Sequence, residues 1–257
     1  MTGAARRVLV TAGGAGIGRA MADCFAGRGY RVWIADADAE AVASCPRDWR
    51  RDVLDVADEA AVADLFARLG ADWGGLDVLC ANAGIAGPTA PVEAQPLDGW
   101  RRCVSVNLDG AFLFARGAVP LMKAARSGAI ILTSSTAGLY GFPNRAPYAA
   151  AKWAINGLMK TLAMELGPFG IRANSICPGS VEGPRMERVM EREAALKGMT
   201  RDQLYAGYAA GTSMRTFVEA WDVAEMAAFL ASDAARHVSG QIIAVDGHTE
   251  NPDPKIG

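Results

Sequence analysis

The sequence predicts an α/β protein built as one doubly wound parallel sheet of about seven strands, with helices on both faces. Short apolar runs such as residues 7–11 and 130–133 alternate with longer segments whose apolar residues recur at helical spacing. The short runs are apolar at successive positions, which is typical of strands that are buried on both faces. Because strands and helices alternate along the whole chain, the pattern favours parallel pairing within one sheet.

Most of the predicted strands are short runs of Val, Ile, Leu and Ala that stop at a glycine, a proline or a polar residue. They cover residues 7–11, 31–36, 49–53, 76–80, 130–133, 171–176 and 241–245. The predicted helices have apolar residues three and four positions apart and stop at glycines or prolines. They cover residues 19–26, 58–70, 96–125 (one long helix or two adjoining ones), 147–167 and 222–232, with partial helix in 183–215. The remaining stretch, 246–257, is predicted to be irregular.

The composition indicates an ordinary globular protein. Of its 257 residues 51% are hydrophobic, so residues 1–257 can bury one sizeable core and are predicted to form a single domain. The net charge of −2 and the absence of Lys/Arg runs exclude the basic surface of a nucleic-acid binder. No apolar run reaches membrane-spanning length, and the five cysteines form no zinc-binding or C-x-x-C spacing. We therefore expect a cytoplasmic protein with reduced thiols, no metal site and no membrane or nucleic-acid partner.

Glycines follow the first predicted strand. Residues 12–18 read Ala-Gly-Gly-Ala-Gly-Ile-Gly and lead into the helical pattern of 19–26. Glycines let the backbone approach a pyrophosphate closely, and a helix N-terminus offers N–H donors and the positive end of its dipole. This turn therefore predicts a dinucleotide site. Its candidate residues are Gly13, Gly14, Gly16, Ile17 and Gly18.

An acid, Asp36, ends the second predicted strand. In a dinucleotide-binding unit, an acid at this position accepts hydrogen bonds from the adenosine ribose and repels a 2′-phosphate. The alternative is a turn or helix-cap residue before residues 38–40. The glycine turn upstream favours the first interpretation, which predicts NAD rather than NADP as cofactor.

A hydroxyl, a phenol and an ammonium are brought together by the fifth strand and the helix after it. Tyr148 and Lys152 are four residues apart in the predicted helix 147–167 and therefore share one face. Ser135 lies just past the strand. A tyrosine side chain has a pKa of about 10, and a neighbouring ammonium lowers it by favouring the phenolate. Such a trio suits proton transfer to or from an alcohol or carbonyl oxygen.

With these motifs the sequence resembles the short-chain dehydrogenase/reductase family over nearly its whole length. The motifs fall in the family's order, with thirteen positions from Ser135 to Tyr148. The matching positions are Thr11 to Gly18, Asp36, Asp52-Val53, Asn82-Ala83-Gly84, Asn107, Ser135, Tyr148, Lys152 and Pro178-Gly179. The resemblance implies a Rossmann-type fold and a nicotinamide dinucleotide cofactor. It also implies hydride transfer between the nicotinamide and a secondary alcohol or its ketone.

The resemblance implies a role for each catalytic position. Tyr148 would be the catalytic acid/base, and Ser135 would orient the substrate oxygen. Lys152 would hold the nicotinamide ribose and lower the pKa of the tyrosine. Asn107 would support a water that connects the lysine to solvent, and Asp52 would contact the adenine. The other implied cofactor contacts are Val53, Asn82, Ala83, Gly84, Pro178, Gly179 and Val181.

Three positions depart from the family pattern. Ala12 stands where the family's turn usually has glycine, and its methyl group is expected to be tolerated only if the backbone there avoids a positive φ. Ala81 replaces the first residue of the usual Asn-Asn-Ala-Gly. Gly183 stands near the place of a threonine that often contacts the nicotinamide amide. None of the three changes removes a catalytic group.

Basic side chains surround the expected substrate pocket. Residues 182–215 are expected to form a lid over the substrate, and Arg145 and Arg185 are the candidate substrate contacts beside Ser135 and Tyr148. The polar lining predicts a small polar substrate, such as a sugar, a polyol or a hydroxy acid, with an arginine that clamps a carboxylate. The lid carries the three arginines Arg185, Arg188 and Arg192. If the lid is helical, we expect at least two of them to face away from the pocket.

Two other functions stay open from the sequence. A 3-oxoacyl-carrier-protein reductase usually takes NADPH, which Asp36 disfavours, and a non-catalytic NAD-binding regulator would not need the proton-transfer residues. The family resemblance further implies a homo-oligomer, either a dimer or a tetramer. It would form through the helices predicted at 96–125 and 147–167.

Overall fold

Seven parallel strands form one sheet in the computed structural model, which describes residues 5–253. They are β1 (Arg7–Thr11), β2 (Arg31–Asp36), β3 (Arg50–Val53), β4 (Val78–Ala81), β5 (Gly128–Thr133), β6 (Ile171–Pro178) and β7 (Ile242–Val245). The order across the sheet is β3-β2-β1-β4-β5-β6-β7. It reverses direction between β1 and β4, and ligands of such sheets bind beyond the strand ends at this switch point. Every neighbouring pair is parallel, as the alternation of strands and helices predicts.

Helices cover both faces of the sheet. They are α1 (Gly16–Gly27), α2 (Ala39–Ala43), α3 (Glu59–Trp73), α4 (Leu97–Val104), α5 (Gly110–Ala125), α6 (Ala146–Leu166), α7 (Pro184–Lys197), α8 (Arg201–Ala210) and α9 (Ala220–Ala231). Val8 and Val10 of β1 pack with residues of α1 and α9, whereas Leu9 packs with α3, α5 and α6. Both sides of a strand are therefore buried, which explains its continuous apolar sequence. Within residues 5–253 no helix is long and apolar enough to cross a membrane.

A π-helical turn, Ser105–Asp109, joins α4 to α5 without a break. The helix predicted over 96–125 is therefore two helices joined by one widened turn. Such turns occur often at functional sites because they redirect side chains that a regular helix would hold elsewhere. Here the turn contains Asn107, which is 1% exposed.

The α7–α8 segment, residues 182–215, packs over the carboxyl ends of the strands and has a small core of its own, which includes Met190, Leu204 and Tyr208. The irregular stretch predicted at 246–257 runs beside it. Thr249 forms an isolated antiparallel bridge with Thr212. Of that stretch, residues 254–257 lie outside the described residues.

The backbone at Ala12 contradicts the expectation that this position avoids a positive φ. Its φ is 50°, in the left-handed region, and its N–H donates to the carbonyl of Ala35 at 2.7 Å. The tight turn out of β1 imposes this conformation, so the methyl group is held under strain. For an L-residue the left-handed conformation costs about 1–2 kcal/mol.

We therefore expect Ala12→Gly to raise the free energy of unfolding. Relief of the strain outweighs the extra chain entropy of glycine, about 0.5–1 kcal/mol, which leaves a net gain of about 0.5–1 kcal/mol. Urea denaturation measures it. Ala26→Gly is the control, because Ala26 lies within helix α1 and glycine there brings its entropy cost, about 0.5–1 kcal/mol, without relief of strain. If the Ala12→Gly protein is no more stable than the wild type, the backbone at Ala12 is not strained.

Candidate active site

A cleft of about 440 Å³ opens at the carboxyl ends of the strands, where the order of the sheet reverses. One wall is the turn between β1 and α1. The floor is made by the ends of β4, β5 and β6, and the α7–α8 segment and the chain end cover the top. The lining residues that the sequence predicts are Gly16, Ile17, Asp36, Asn82, Gly84, Ser135, Arg145, Tyr148, Lys152, Pro178, Gly179, Val181 and Arg185.

The glycine turn has the shape of a phosphate cradle. Gly16 has a φ of +54°, with no heavy atom within 4 Å of the place where a Cβ would lie. A Cβ at Gly18 would overlap the carbonyl of Ala12, so the helix can approach the strand this closely only with glycine. Within the described chain no side chain caps the first turn of α1. Its N–H groups and the positive end of its dipole are thus available to a pyrophosphate, and these residues fit a dinucleotide.

Asp36 lies at the edge of this cradle. Its Oδ2 accepts from the N–H of Gly14 at 3.0 Å, and its Oδ1 accepts from the N–H of Asp38 at 3.1 Å. Asp38, rather than Asp36, caps α2 by accepting from the N–H groups of Glu40 and Ala41, both at 3.0 Å. Asp38 is therefore the helix cap, whereas the bond from its N–H to Asp36 Oδ1 is a side-chain turn of the kind that the alternative describes. Asp36 also lines the cleft, and its contact with the adenosine ribose stays a prediction.

Asp52 lies outside the cleft lining. Its carboxylate accepts from Trp33 Nε1 at 2.6 Å and pairs with Arg68 at 2.8 Å. The implied contact of Asp52 with adenine therefore stays a prediction. The cleft lining also lacks five other implied cofactor residues, and their cofactor contacts likewise stay predictions: Gly13, Gly14, Gly18, Val53 and Ala83.

Asn107 presents a buried oxygen that has no partner. Its Nδ2 donates to the carbonyls of Ile85 at 2.9 Å and Cys103 at 2.8 Å, which fixes the amide orientation. Its Oδ1 is buried and accepts no hydrogen bond from any described residue. A buried carbonyl oxygen normally has a donor. This oxygen therefore fits the water position that the family resemblance implies, beside Gly84 and Lys152.

Lys152 is 2% exposed and donates from Nζ to the carbonyl of Thr133 at 2.8 Å. Burial lowers its pKa, while the nearby Tyr148 raises it. Pro147 stands in the first turn of α6, where its missing N–H costs nothing. The helix then places the lysine one turn after the tyrosine, with Nζ 5.7 Å from the ring centroid.

Tyr148 is 7% exposed and has a lowered pKa. Burial raises the pKa of the phenol, whereas the positive charge of Arg185 lowers it, and Lys152 and Arg145 lower it further. With a hydrogen bond to Ser135, these charges bring the pKa to about 8. The serine hydroxyl is itself held by accepting from the N–H of Ala137 at 3.1 Å. The phenol can therefore take or give a proton near neutral pH.

Two arginines lie over the ring of Tyr148. The guanidinium carbon of Arg145 lies 4.4 Å above the ring centroid of Tyr148, and that of Arg185 lies 5.9 Å away. Arg185 and Arg188 both line the cleft, so the expectation that at least two lid arginines face away is wrong. All three arginines share one face of α7, but only Arg185 and Arg188, in its first turns, reach the cleft, because Arg192 lies farther along the helix axis. Arg192 is exposed and lies outside the lining.

The segment Thr136 to Arg145, which the sequence places beside Tyr148 as a pocket wall, contributes Phe142 to the lining. The lining residues that the sequence interpretation missed include Thr249, Asn251 and Pro252. They belong to the stretch predicted to be irregular, and no pattern in it indicates contact with a cleft.

A protein-family model described as "Enoyl-(Acyl carrier protein) reductase" matches residues 11–248, nearly the whole chain. The chain belongs to the short-chain dehydrogenase/reductase family. Its place in that family confirms the predicted fold class and the nicotinamide chemistry. As a short-chain dehydrogenase/reductase it is an oxidoreductase that moves a hydride between a nicotinamide cofactor and a secondary alcohol or its ketone.

Several well-described proteins are similar to this short-chain dehydrogenase/reductase. A cis-4-hydroxycyclohexanecarboxylate dehydrogenase of Sinomonas cyclohexanicum is 40% identical over 252 residues, 95% of this chain and 96% of the relative. A trans-4-hydroxycyclohexanecarboxylate dehydrogenase of the same organism is 40% identical over 261 residues, 95% of this chain and 92% of the relative. The crystal structure of an NAD+-bound xylitol dehydrogenase superposes with a TM-score of 0.91 at 30% identity, over 94% of this chain and 98% of that one.

Proposed function

We propose that the protein is an NAD-preferring dehydrogenase of a small, polar secondary alcohol. The observation that carries this proposal is the phenol of Tyr148, which has a pKa of about 8 and shares the cleft with Ser135 and Lys152. The relatives named for hydroxycyclohexanecarboxylates and xylitol support a small polar substrate. The test is an assay of reduced-nicotinamide absorbance with a panel of sugars, polyols, hydroxy acids and apolar alcohols. Turnover of apolar alcohols alone would contradict the proposal.

The cofactor, when bound, accepts or donates the hydride. The turn at residues 12–18 would hold its pyrophosphate, Asp36 its adenosine ribose and Lys152 its nicotinamide ribose. Asn82 is positioned to support the same wall, because its backbone N–H and that of Ala83 donate to the Thr11 hydroxyl at 2.9 and 2.8 Å. These contacts tie the ends of β1 and β4 together where the cofactor would pass between them.

Side chains of the protein itself transfer the proton of the substrate hydroxyl. Ser135 holds the substrate oxygen, and the phenolate of Tyr148 takes the hydroxyl proton as the alcohol is oxidised. Lys152 keeps the phenolate form accessible, and a water on Asn107 Oδ1 would link the lysine to solvent. In the reverse direction the same phenol donates its proton to the ketone oxygen. A non-catalytic regulator would have no use for a tyrosine whose pKa is lowered to about 8.

The preference for NAD over NADP rests on Asp36. Its carboxylate lines the cleft and is held in place by the N–H of Gly14. A 2′-phosphate on the adenosine ribose would meet this negative charge at close range, and like charges in a partly buried site repel. The carboxylate of Asp36 also disfavours the alternative function, a 3-oxoacyl-carrier-protein reductase that uses NADPH.

We expect Asp36→Ala to relax the cofactor preference. Loss of the carboxylate removes both the repulsion of the phosphate and the acceptor for the ribose hydroxyls. The ratio of kcat/KM for NAD to that for NADP should fall by about 10²-fold, the scale of one charged contact. Steady-state kinetics with both cofactors measures it. Asp38→Ala is the matched control, because Asp38 only caps α2 and should leave the ratio unchanged. Equal efficiency with both cofactors in the wild type would overturn the NAD assignment.

We also propose that residues 1–257 act as a single domain, that the α7–α8 segment serves as the substrate lid, and that the protein is cytoplasmic. All five cysteines are free and buried, which fits a reducing compartment. The proposed assembly is a dimer or tetramer through α5 and α6. Phe112, Trp153 and Met164 are 46%, 52% and 80% exposed on these helices. Large exposed apolar side chains on neighbouring helices are typical of a subunit interface.

Light scattering should therefore give the mass of a dimer or tetramer at micromolar concentration. We expect Met164→Glu to shift the distribution toward monomer, because a charge would be buried at the contact. Met164→Leu keeps the surface apolar and should leave the assembly unchanged. A monomeric wild type would rule out this interface.

A further inference from the structure

Arg145 is a buried cation with no anion beside it. The residue is 8% exposed, and its Nε is buried without a hydrogen-bond partner. Within residues 5–253 its guanidinium takes part in no hydrogen bond or ion pair. Its contacts are the faces of two aromatic rings, Phe142 at 5.2 Å and Tyr148 at 4.4 Å, and the open cleft. A charge withdrawn from water without a partner is costly, so this site is built to receive a negative group.

The acids near the cleft are already engaged elsewhere. Glu182 accepts from the hydroxyl of Tyr205 at 2.6 Å. Glu193 accepts from the hydroxyl of Tyr208 at 2.5 Å and pairs with Lys197 at 2.7 Å. Neither acid pairs with Arg145, so the charge of the pocket beside the tyrosine is positive. Arg185 and Arg188 add to it from α7.

Lowering the pKa of Tyr148 does not by itself account for Arg145. Lys152 is already adjacent to the phenol and supplies a positive charge. An arginine also differs from a lysine in its planar fork of N–H donors, which matches a carboxylate through two parallel hydrogen bonds. The guanidinium carbon of Arg145 lies over both the Phe142 and the Tyr148 ring, and none of the guanidinium N–H groups donates a hydrogen bond to a described residue, so they can bind a carboxylate.

We propose that the substrate carries a carboxylate, and that Arg145 binds it by a bidentate ion pair while Tyr148 acts on the hydroxyl at the other end. Arg185 is an exposed residue of α7, and its guanidinium adds a second positive charge over the same ring. This inference rests on the proposed function, since it names the substrate class of that site. The two relatives named for 4-hydroxycyclohexanecarboxylates support a hydroxy acid over a neutral sugar or polyol.

The test compares substrates that differ only in charge. Oxidation of 4-hydroxycyclohexanecarboxylate and 3-hydroxybutyrate is measured against their carboxamides, with NAD in excess. The wild type is expected to prefer each carboxylate by about 100-fold in kcat/KM, the scale of a charged hydrogen-bonded pair. Arg145→Met should bring the ratio close to one, and Arg145→Lys should restore part of it. Because acid and amide use the same tyrosine, their ratio is insensitive to any change in the pKa of Tyr148.

Arg192→Met is the matched control, since Arg192 lies on the same α7 but outside the cleft lining and should leave the ratio unchanged. If the Arg145→Met variant fails to fold, a binding measurement on the wild type still tests the inference. Calorimetry should show cyclohexanecarboxylate binding at least tenfold more tightly than cyclohexanecarboxamide.

Equal binding of acid and amide, or an acid-to-amide ratio unchanged in Arg145→Met, would overturn the inference. Turnover of neutral alcohols with no preference for the acids would overturn the inference but leave the proposed function standing. Absence of nicotinamide reduction with every alcohol would instead remove the proposed function, while the binding measurement would still decide whether the pocket takes a carboxylate.

Discussion

Replacing Tyr148 by phenylalanine is expected to lower turnover by about 10²–10⁴-fold, the usual contribution of a positioned acid or base. The ring would keep its contacts with Arg145, so packing should change little. The substitution removes the hydroxyl, with its transferable proton and its hydrogen bond to Ser135. The affinity for the cofactor, measured by fluorescence titration, should stay within a few-fold of the wild-type value.

The pH profile is the control for this prediction. In the oxidation direction the phenolate is the active form, so kcat/KM of the wild type should rise with pH and level off above the Tyr148 pKa of about 8. In the reduction direction the protonated phenol is needed, so the rate should fall above the same pH. The Tyr148→Phe enzyme should lose both inflections. Near-full activity in this variant would exclude the tyrosine as the acid/base.

Lys152→Met is expected to weaken both turnover and cofactor binding. The methionine fills much of the same buried volume but removes the charge that lowers the pKa of Tyr148 and the donor to the carbonyl of Thr133. We expect kcat/KM to fall by about 10²–10³-fold, which combines loss of a charged contact with a less accessible phenolate. The oxidation profile should move to higher pH, which a purely structural role would not produce.

Lys160→Met is the matched control, because Lys160 lies on the same helix, α6, but is exposed and donates to the carbonyl of Gly240 at 2.6 Å. Its kinetics should equal those of the wild type. A Lys152→Met enzyme with an unchanged pH profile and unchanged NAD affinity would exclude the proposed electrostatic role of Lys152.

The sequence predicts the sheet and most of the cleft because its local rules are strong there. Buried parallel strands are continuously apolar, and Tyr148 and Lys152 share a helix face through their spacing alone. Helix α1 begins at Gly16, earlier than the predicted residue 19, because glycine is a weak helix former and the pattern of apolar residues does not mark a helix start there. The strained φ of Ala12 could not be predicted, since the turn geometry that imposes it depends on the position of β2.

Other parts of the site depend on contacts between segments that are distant in the chain. The bonds of Asp52 to Trp33 and Arg68 come from the pairing of β2 with β3 and the position of α3. The contribution of Thr249 to the cleft comes from the path of the chain end, which has no periodicity.

That path has an evolutionary consequence. Thr249 lies against Tyr140, whose hydroxyl donates to its carbonyl at 3.0 Å, and Asn251 donates from its N–H to Gly211 at 3.0 Å. Asp253 pairs with Lys197 of α7 at 2.5 Å. The last described residues thus shape the substrate side of the cleft without being part of the sheet or the dinucleotide cradle. We expect substitutions at residues 249–253 to change which alcohol is accepted at little cost to folding or to cofactor affinity, so new substrate ranges can arise there by drift.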